Sequence, residues 1–291
     1  MHRRCSHGGD TSDTTGGEIM GICKLPQQIV VPSSGPPKGK TLNEYTWEEI
    51  SYISSNGLAG EYGFQAGDAK QVTLNGTVGS LTLNNYQTYA FIIGINHNSD
   101  KEGTNRIHFQ FGYSDLSGGK HLAFVDSGYN SYKTSGAWFN MNNANSNPGG
   151  WKSSLMRTVI CPAFKNAMPS DLKTVLKTVT KYSNNTGGSS DTASYVTATS
   201  EEVFLLAEFE VFGTRSYANS AEKNYQAQYA WYTAGNSKMR YRHSGTGSTA
   251  FWWLRSVYIG GSTHFCGVDT SGSASGNFAR HSFGFAPAFC V

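Results

Sequence analysis

The apolar stretches of this sequence are short, and glycine, serine, threonine and asparagine interrupt them along the whole chain. There are 34 glycines in 291 residues, and charged residues make up only 15% of the chain, against about 25% in a typical soluble domain. This composition favours turn-rich β structure over a bundle of long helices. No apolar run reaches the roughly 18 residues that a membrane-spanning helix needs, so we expect no insertion into a membrane.

The charge of the chain is low and evenly spread. The formal net charge is +3, and the basic residues form neither a stripe nor a block. Nucleic-acid-binding surfaces normally show such a stripe, so we expect no nucleic-acid partner.

The beginning of the chain shows little periodic structure. It contains one short apolar piece at 29–31, followed by PSSGPPKGK, which is typical of an extended arm or linker. The first 20 residues have no apolar core, so we expect no ordinary signal peptide, and Met20 is as good a start as Met1. We therefore predict a flexible arm over residues 1–43 and a folded domain over 44–291.

The cysteine pattern does not indicate a disulfide framework. Five cysteines are too few for one in a chain of 291 residues, and none forms a CxxC pair. Free, buried thiols are the favoured interpretation. A bridge between Cys266 and Cys290 is the alternative, which spacing alone does not test. The five are Cys5, Cys23, Cys161, Cys266 and Cys290.

Ordered structure is predicted to begin with a helix at Thr46. The sequence TWEE forms a capping box with Glu49, and Gly57 is a favourable stop. Ile50 and Ile53 would lie on the buried face of this helix.

Strands are predicted next. KQVTLNG and SLTLNN alternate apolar and polar residues around Asn75–Gly76, which predicts a hairpin with its turn at this pair. TYAFIIGI, residues 88–95, is a continuous apolar run and predicts a buried central strand. IHFQF and HLAFVDS predict two more strands, and residues 140–150 a polar loop.

Further helices are predicted in the second half of the chain. Ser170 would cap a helix over DLKTVLKTVTKY, whose apolar residues share one face. Residues 201–213 fit either a strand or a helix, and residues 219–232 look helical. The chain as a whole predicts an α+β fold, with a few helices against short, irregular, mostly antiparallel strands.

Paired carboxylates are the strongest enzymatic signal. The sequence contains no GxSxG, HExxH, Walker or dinucleotide-binding motif. Glu208 and Glu210 would share one side of a strand, and such a pair can hydrolyse glycosides when it faces a cleft. The favoured alternative is that these carboxylates anchor loops or pair with Arg215 or Arg255.

Metal and cofactor sites are not indicated. His97 and His108 are suitable ligand types, but nothing at ligand spacing joins them. We expect no metal and no cofactor.

The last forty residues combine rigid ends with an irregular middle. WWLRS begins this segment at Trp252, and GFAPAFCV ends it at Val291 as an apolar strand bounded by proline. Between them, aromatic residues, arginine and histidine are set on a frame of glycine, serine and threonine without helix or strand periodicity. These are the ingredients of a recognition surface. An ordinary surface loop between two core strands is the alternative.

The residue types in this segment are also restricted. Residues 257–285 contain no lysine, glutamate, glutamine, methionine or tryptophan. Every type present can arise from an AAY asparagine codon when only its adenines change, and the five missing types cannot. Residues 183–200 lack the same five types, so this gap alone does not identify the segment.

The ending W-W-L-R-S … G-S-A … G-F-x-P-A-F resembles the variable region of diversity-generating retroelement variable proteins, whose members include the phage major tropism determinant. VTLNGTVGSLTLNNYQTYAFIIGINHN, LLAEFEVFGTRSYANSAEKNYQAQYAWY and YRHSGTGS resemble the body of the subgroup found in gut bacteria and their phages. The resemblance covers roughly residues 44–291.

This resemblance implies a C-type-lectin-like fold, related to that of the formylglycine-generating enzyme, with a variable region at about 252–291. In the family, a reverse transcriptase copies a template with errors at adenines, and the copy replaces the variable repeat. The calcium-binding EPN and WND motifs of true lectins and the closely spaced cysteine pair of the formylglycine-generating enzyme are absent. Neither calcium-dependent sugar binding nor that catalysis is implied.

The resemblance separates diversified positions from a constant frame. The implied ligand-binding positions are Val257, Tyr258, Ile259, Ser262, Thr263, His264, Gly267, Asp269, Ser271, Gly276, Asn277, Phe278, Arg280, His281, Ser282 and Phe283. The implied frame is Trp252, Trp253, Leu254, Arg255, Ser256, Cys266, Val268, Gly272, Ala274, Pro287 and Phe289.

Three functions are compatible with these observations. The first is a non-enzymatic receptor-binding protein on a phage tail or a bacterial surface, with a surface protein or glycan as ligand. Its aromatic anchors would be Tyr258, Phe278 and Phe283, and the N-terminal arm would mediate homo-oligomerisation or virion attachment. The second is a glycan-active enzyme that uses Glu208 or Glu210. The third is a structural tail or adhesin protein whose last segment is not diversified.

Overall fold

The computed structural model describes residues 35–116 and 119–291. Most of the arm predicted from the sequence therefore lies outside the described residues, together with Met1, Met20, Cys5 and Cys23.

The protein has a mixed α+β fold in which strands predominate and the helices are short. In the described residues, no helix has the length and apolar character that crossing a membrane requires. The α-helices are α1 Trp47–Ser55, α2 Ser99–Glu102, α3 Gly150–Ser153, α4 Cys161–Ala167, α5 Ser170–Val175, α6 Glu208–Phe212 and α7 Ala230–Thr233. The strands are β1 Ala69–Val78, β2 Leu81–Ile95, β3 Ile107–Tyr113, β4 Leu122–Ala123, β5 Val179–Asn184, β6 Val196–Glu201, β7 Val203–Phe204, β8 Arg240–Arg242, β9 Gly245–Ala250, β10 Trp252–Val257, β11 His264–Val268, β12 Ala274–Phe278 and β13 Ala288–Cys290.

The first helix confirms its predicted capping box. The Thr46 hydroxyl accepts a hydrogen bond from the Glu49 amide at 3.1 Å, and the Glu49 carboxylate accepts one from the Thr46 amide at 2.7 Å. Ile50 and Ile53 are fully buried, as predicted. Residues that precede the helix also contact the domain, because the Tyr62 hydroxyl donates a hydrogen bond to the Pro36 carbonyl at 2.7 Å.

The main sheet is antiparallel and curled, with the order β1-β2-β3-β13-β7. The run at 88–95 lies in β2 between β1 and β3, so the prediction of a buried central strand is confirmed. The last strand of the chain inserts between β3 and β7, where Phe289 pairs with Phe109 on one side and Val203 on the other. The last strand is therefore buried within the core.

The hairpin of β1 and β2 turns at a different place from the prediction. The chain reverses between Val78 and Leu81, at Gly79. Asn75–Gly76 instead forms an irregularity within the strand pair, because the register shifts between Leu74 and Gly76. Gly79 has a φ of 59°, and a Cβ there would lie 2.7 Å from a carbonyl oxygen, so this position suits glycine alone.

The long helix predicted after Ser170 is wrong in its second half. Helix α5 ends at Val175, and residues 179–184 form β5, which pairs with β6 in register from Val179 to Asn184. The apolar spacing fits a helix as well as a strand over so few residues. Pairing with β6 and the β-branched side chains decide for the strand.

Residues 201–213 and 219–232 each contain more than one element of secondary structure. Residues 201–213 contain both structures left open by the sequence, since β7 is followed by α6. Residues 219–232 are helical only at their ends, as the 3-10 helix Ser220–Asn224 and as α7.

The bridge between Cys266 and Cys290, which the sequence left open as the alternative, is not formed. Both cysteines, and Cys161, are free and buried, which confirms the free-thiol interpretation for the described cysteines. Cys266 lies in β11 and Cys290 in β13, which belong to different sheets. Burial raises the pKa of each thiol well above its ordinary value.

Candidate ligand-binding face

The C-terminal segment forms a second antiparallel sheet in the order β10-β11-β12. Every residue of β10 is buried, whereas every residue of β12 is partly exposed. Strand β11 lies between them and pairs Phe265 with Asn277 and Cys266 with Gly276. Exposure therefore rises in one direction across the sheet, from the core towards β12.

Strand β10 is held by polar contacts as well as by packing. The indole nitrogens of Trp252 and Trp253 donate to the carbonyls of Lys238 and Phe139, at 2.9 and 3.0 Å. Of the residues that the resemblance assigns to the frame, nine are buried and two are partly exposed. The partly exposed pair is Gly272 and Ala274.

A buried ionic network fastens β10 to the body. The guanidinium of Arg255 makes two hydrogen bonds to the Glu210 carboxylate, at 2.5 and 2.7 Å. The ammonium of Lys181 contacts Glu210 at 3.1 Å and Glu102 at 2.5 Å. Burial by itself favours the neutral acid, but Arg255 and Lys181 outweigh it and lower the pKa of Glu210. Glu210 is therefore a structural carboxylate.

The second carboxylate of the pair, Glu208, anchors a loop. It accepts hydrogen bonds from the backbone amide of Tyr217, at 3.0 Å, and from that of Ala218, at 2.7 Å. Both glutamates are 0% exposed and lie on helix α6, so the alternative in which they anchor loops or pair with Arg255 is confirmed. Arg215 pairs with Asp191 instead, at 3.0 Å.

The fold brings His97 and His108 close together, although their spacing in the sequence is not that of metal ligands. The rings of His97 and His108 lie 5.6 Å apart, and His97, Glu102 and Glu210 offer ligand atoms within 4.8 Å of one another. The Lys181 ammonium is bonded to both of these carboxylates. An internal cation thus occupies the position between them. Burial, followed by the charge of Lys181, lowers the pKa of His97 to about 3.

The sixteen ligand-binding positions implied by the resemblance divide into two groups. Four are buried and do not reach the surface: Val257, Gly267, Ser282 and Phe283. The other twelve are exposed or partly exposed: Tyr258, Ile259, Ser262, Thr263, His264, Asp269, Ser271, Gly276, Asn277, Phe278, Arg280 and His281.

Specific contacts explain why three of the four, Phe283, Gly267 and Ser282, are buried. Phe283, which the sequence analysis placed among the anchors, is 4% exposed and packs on Phe251 at 4.5 Å between ring centroids. A Cβ at Gly267 would lie 2.2 Å from the Phe251 ring. The Ser282 hydroxyl donates a hydrogen bond to Asp126 at 2.7 Å. These three positions lie in the core of the protein and do not present a group to the surface.

The exposed positions carry a continuous series of rings, which we name the aromatic ladder. Its ring centroids are separated by 4.8 Å from Tyr217 to Tyr258, 5.5 Å from Tyr258 to His264 and 4.4 Å from His264 to Phe278. The ladder continues from Phe278 to Tyr132 at 6.2 Å and from Tyr132 to His281 at 4.1 Å. Its members are Tyr217, Tyr258, His264, Phe278, Tyr132 and His281.

Two members of the ladder were not found from the sequence. Tyr132 and Tyr217 belong to the body: Tyr217 begins the ladder, and Tyr132 lies between Phe278 and His281 near its other end. Each stands among small polar residues, in NSYKTSG and RSYANS. Tyrosine in serine- and asparagine-rich loops is typical of binding surfaces, and this was the available signal.

Two cations lie beside aromatic rings at the end of the face that contains Tyr132. The Arg280 guanidinium lies 4.2 Å from the centre of the Tyr132 ring, and the Lys133 ammonium 3.6 Å from that of Trp138. Burial lowers the pKa of His281, and the charge of Arg280 adds to this effect. This histidine is therefore neutral at pH 7.

Three cavities in the described residues, with volumes of about 380, 490 and 600 Å³, are lined by residues outside 252–291. The exposed tyrosine and arginine of the face are residue types that are enriched at protein interfaces.

Comparison with known proteins gives one match. The model of a family described as a domain of unknown function, DUF6273, matches residues 131–291, which is more than half of the chain. No curated protein and no solved structure matches. The matched region contains the whole C-terminal sheet and every member of the aromatic ladder.

Proposed function

We propose that this chain, which belongs to the DUF6273 family, is a non-enzymatic ligand-binding protein whose C-terminal sheet meets the ligand. The observation that carries this proposal is the aromatic ladder. It follows the partly exposed β12 edge of a sheet whose opposite edge, β10, is buried. Tyrosine, phenylalanine and arginine dominate binding energy at protein surfaces, and rings held against one another lose little entropy when a ligand binds.

Stability and recognition are carried by different residues. Strand β10 is buried throughout and is fastened by Arg255, whereas β12 is partly exposed throughout. Exposed substitutions away from special contacts usually change stability little. The face therefore tolerates replacement of its side chains, as a diversified site requires.

We further propose that the fold is C-type-lectin-like and that the face is diversified by adenine-directed mutagenic retrohoming. Two observations support this. Residues 257–285 contain only types that an AAY codon can reach, and twelve of the sixteen positions implied by the resemblance are at least partly exposed. The buried positions Val257, Gly267, Ser282 and Phe283 are then constant or tolerate few replacements.

The proposed ligand is a receptor on a cell surface, and the proposed location is a phage tail or a bacterial surface. Many copies displayed together would raise the strength of attachment beyond that of one face without new contacts.

The DNA around the coding sequence tests diversification. We expect a near-copy of the codons for residues 252–291, with differences confined to adenines of the copy, beside a gene for a reverse transcriptase. Flanking DNA that contains neither the near-copy nor the reverse-transcriptase gene would contradict the proposal of diversification. The ladder would then belong to a structural tail or adhesin protein with a constant face.

The glycan-active enzyme finds no support in the two residues chosen for it. Glu208 and Glu210 are fully buried and bonded to backbone amides, Arg255 and Lys181. Neither carboxylate can contact a polysaccharide in this arrangement.

A further inference from the structure

One arginine of the candidate face is held in place by the body of the protein. The amide of Lys133 donates a hydrogen bond to the Arg280 carbonyl at 2.8 Å, and the amide of Ser282 donates one to the Ser131 carbonyl at 3.0 Å. This pairing sets Arg280 and His281 beside Tyr132. The backbone position of residue 280 is therefore set by these hydrogen bonds and does not depend on which side chain it carries.

The Tyr132 ring orients the guanidinium. It contacts Arg280 at 4.2 Å and is stacked on His281 at 4.1 Å with an angle of 15° between the planes. Tyr132 is nevertheless 50% exposed, so this cluster is at the surface. Stacking on an aromatic ring leaves the N–H groups at the edge of a guanidinium available to a ligand.

Arg280 has no carboxylate partner among the described residues, and its Nε atom is shielded from water without a hydrogen bond. Arg157, Arg215 and Arg255 each pair with a carboxylate at 3.0 Å or less. Arg106, Arg240 and Arg242 share the unbonded Nε of Arg280, so the surface position beside the ladder is what distinguishes Arg280. A guanidinium without a carboxylate partner keeps the N–H groups of its outer edge available for hydrogen bonds to a ligand or to water.

The surroundings do not supply the missing anion. The carboxylate of Asp126 already accepts hydrogen bonds from the Ser282 hydroxyl at 2.7 Å, the Gly128 amide at 2.9 Å and the Phe139 amide at 2.7 Å. Lys133 adds a second positive charge, and His281 is neutral. The local field therefore favours an anion from outside the chain.

We propose that Arg280, oriented by Tyr132, is the anchor for a carboxylate on a protein ligand. An aspartate or glutamate side chain matches the fork of a guanidinium with two parallel hydrogen bonds. The six rings of the aromatic ladder extend from the Arg280 cluster to Tyr217, and exposed tyrosine beside arginine is typical of protein interfaces, which favours a protein over a small acid. This inference rests on the proposed function, since it names the chemistry of the partner that the aromatic ladder meets.

Selection with a random peptide library displayed on phage tests this assignment. The full-length protein is immobilised, and retained peptides are sequenced and synthesised. We expect aspartate and glutamate to be enriched in them, and Arg280→Gln to weaken binding of the acidic peptides about tenfold or more. Arg280→Lys, which keeps the charge without the fork, should recover only part of the affinity.

Arg242 provides a matched control. Its guanidinium lies 4.2 Å from the centre of the Tyr129 ring, the same distance as in the Arg280 pair, but Tyr129 is outside the ladder. Arg242→Gln should leave binding of the acidic peptides unchanged. If Arg242→Gln and not Arg280→Gln reduces their binding, the assignment of the anchor is wrong.

The remaining outcomes separate this inference from the proposed function. Peptides that lose binding on Phe278→Ala but carry no excess of acidic residues would overturn the carboxylate anchor and leave the binding face intact. An acidic glycan held through Arg280, with no acidic peptides selected, would overturn the protein partner. If no substitution on the face changes the affinity of the retained peptides, the proposed function itself is overturned.

Discussion

Arg255 and Glu210 form a fully buried pair in which the guanidinium donates two hydrogen bonds, from Nη1 to Oε2 at 2.5 Å and from Nη2 to Oε1 at 2.7 Å. Arg255 belongs to β10 of the candidate face, and Glu210 to helix α6 of the body. The pair therefore connects a surface that is proposed to vary with a core that does not.

Arg255→Met should destabilise the protein by about 3–5 kcal/mol, because it leaves Glu210 buried with one counter-charge fewer. Chemical denaturation measures this loss. Lys38→Met is the control: Lys38 and Glu61 form an exposed pair, with side chains 57% and 60% exposed, and such pairs contribute little. Equal effects of the two substitutions would contradict a structural role for the buried pair.

Glu208→Gln should loosen one end of the aromatic ladder. The amide group of glutamine would present a donor to the backbone amides of Tyr217 and Ala218, which now donate to the carboxylate. We expect a loss of about 1–3 kcal/mol in stability and faster hydrogen exchange at these two amides. Glu202→Gln, at the partly exposed pair with Lys165, should leave both amides unchanged. Unaltered exchange in Glu208→Gln would refute the anchoring role.

Phe283→Ala and Phe278→Ala should separate core from face. Phe283 is buried against Phe251 and Trp253, so its removal should cost about 3–5 kcal/mol. Phe278 is partly exposed in the ladder, and its removal should cost less than about 1 kcal/mol while weakening binding of peptides selected on the wild-type protein. Thermal denaturation and peptide titration measure the two effects. Similar stability losses would disprove the division of the sixteen positions.

Acid should destabilise the protein through its buried histidines. Burial lowers the pKa of His97 and His121 to about 3 and that of His243 to about 4, against about 6.5 in the unfolded chain. The unfolded state therefore binds more protons as the pH falls below 6.5. Above that pH, these histidines do not reduce the free energy of unfolding. Below it, the free energy of unfolding falls as the pH approaches the folded pKa values, by roughly 1 kcal/mol or more per histidine at pH 5.

Unfolding free energies measured between pH 8 and pH 5 check this dependence. His121→Phe keeps a ring beside Phe91, on which His121 stacks at 5.3 Å, and removes one titrating group. The free energy of unfolding of this variant should therefore change less steeply with pH than that of the wild-type protein. An unchanged slope would mean that His121 does not contribute.

Lys181→Ala should create a metal site. Removing the ammonium leaves His97, Glu102 and Glu210 with ligand atoms within 4.8 Å of one another, a combination that suits Zn²⁺. Zinc should raise the melting temperature of this variant and leave the wild-type value unchanged. Adding His97→Ala should abolish the effect. No response of Lys181→Ala to zinc would show that the cluster cannot replace its internal cation.

Local patterns in the sequence predicted local structure well. The capping box of Thr46 and Glu49 and the buried strand at 88–95 depend on neighbouring residues, and both are confirmed. The hairpin turn and the second helix were misplaced for the opposite reason. Gly79 is required by its close approach to Ala137, and β5 by its pairing with β6, and both partners are distant in sequence.

By itself, the sequence determined the α+β composition, the apolar ends of the last segment and the restricted residue types between them. Only the tertiary structure decided which of those residues face water, because Phe278 and Phe283 are alike in the sequence and differ only in what packs on them. It also brought Tyr132 and Tyr217 into the ladder and Lys181 between Glu102 and Glu210. Contacts between distant residues depend on how strands pair and pack, and no local periodicity encodes that choice.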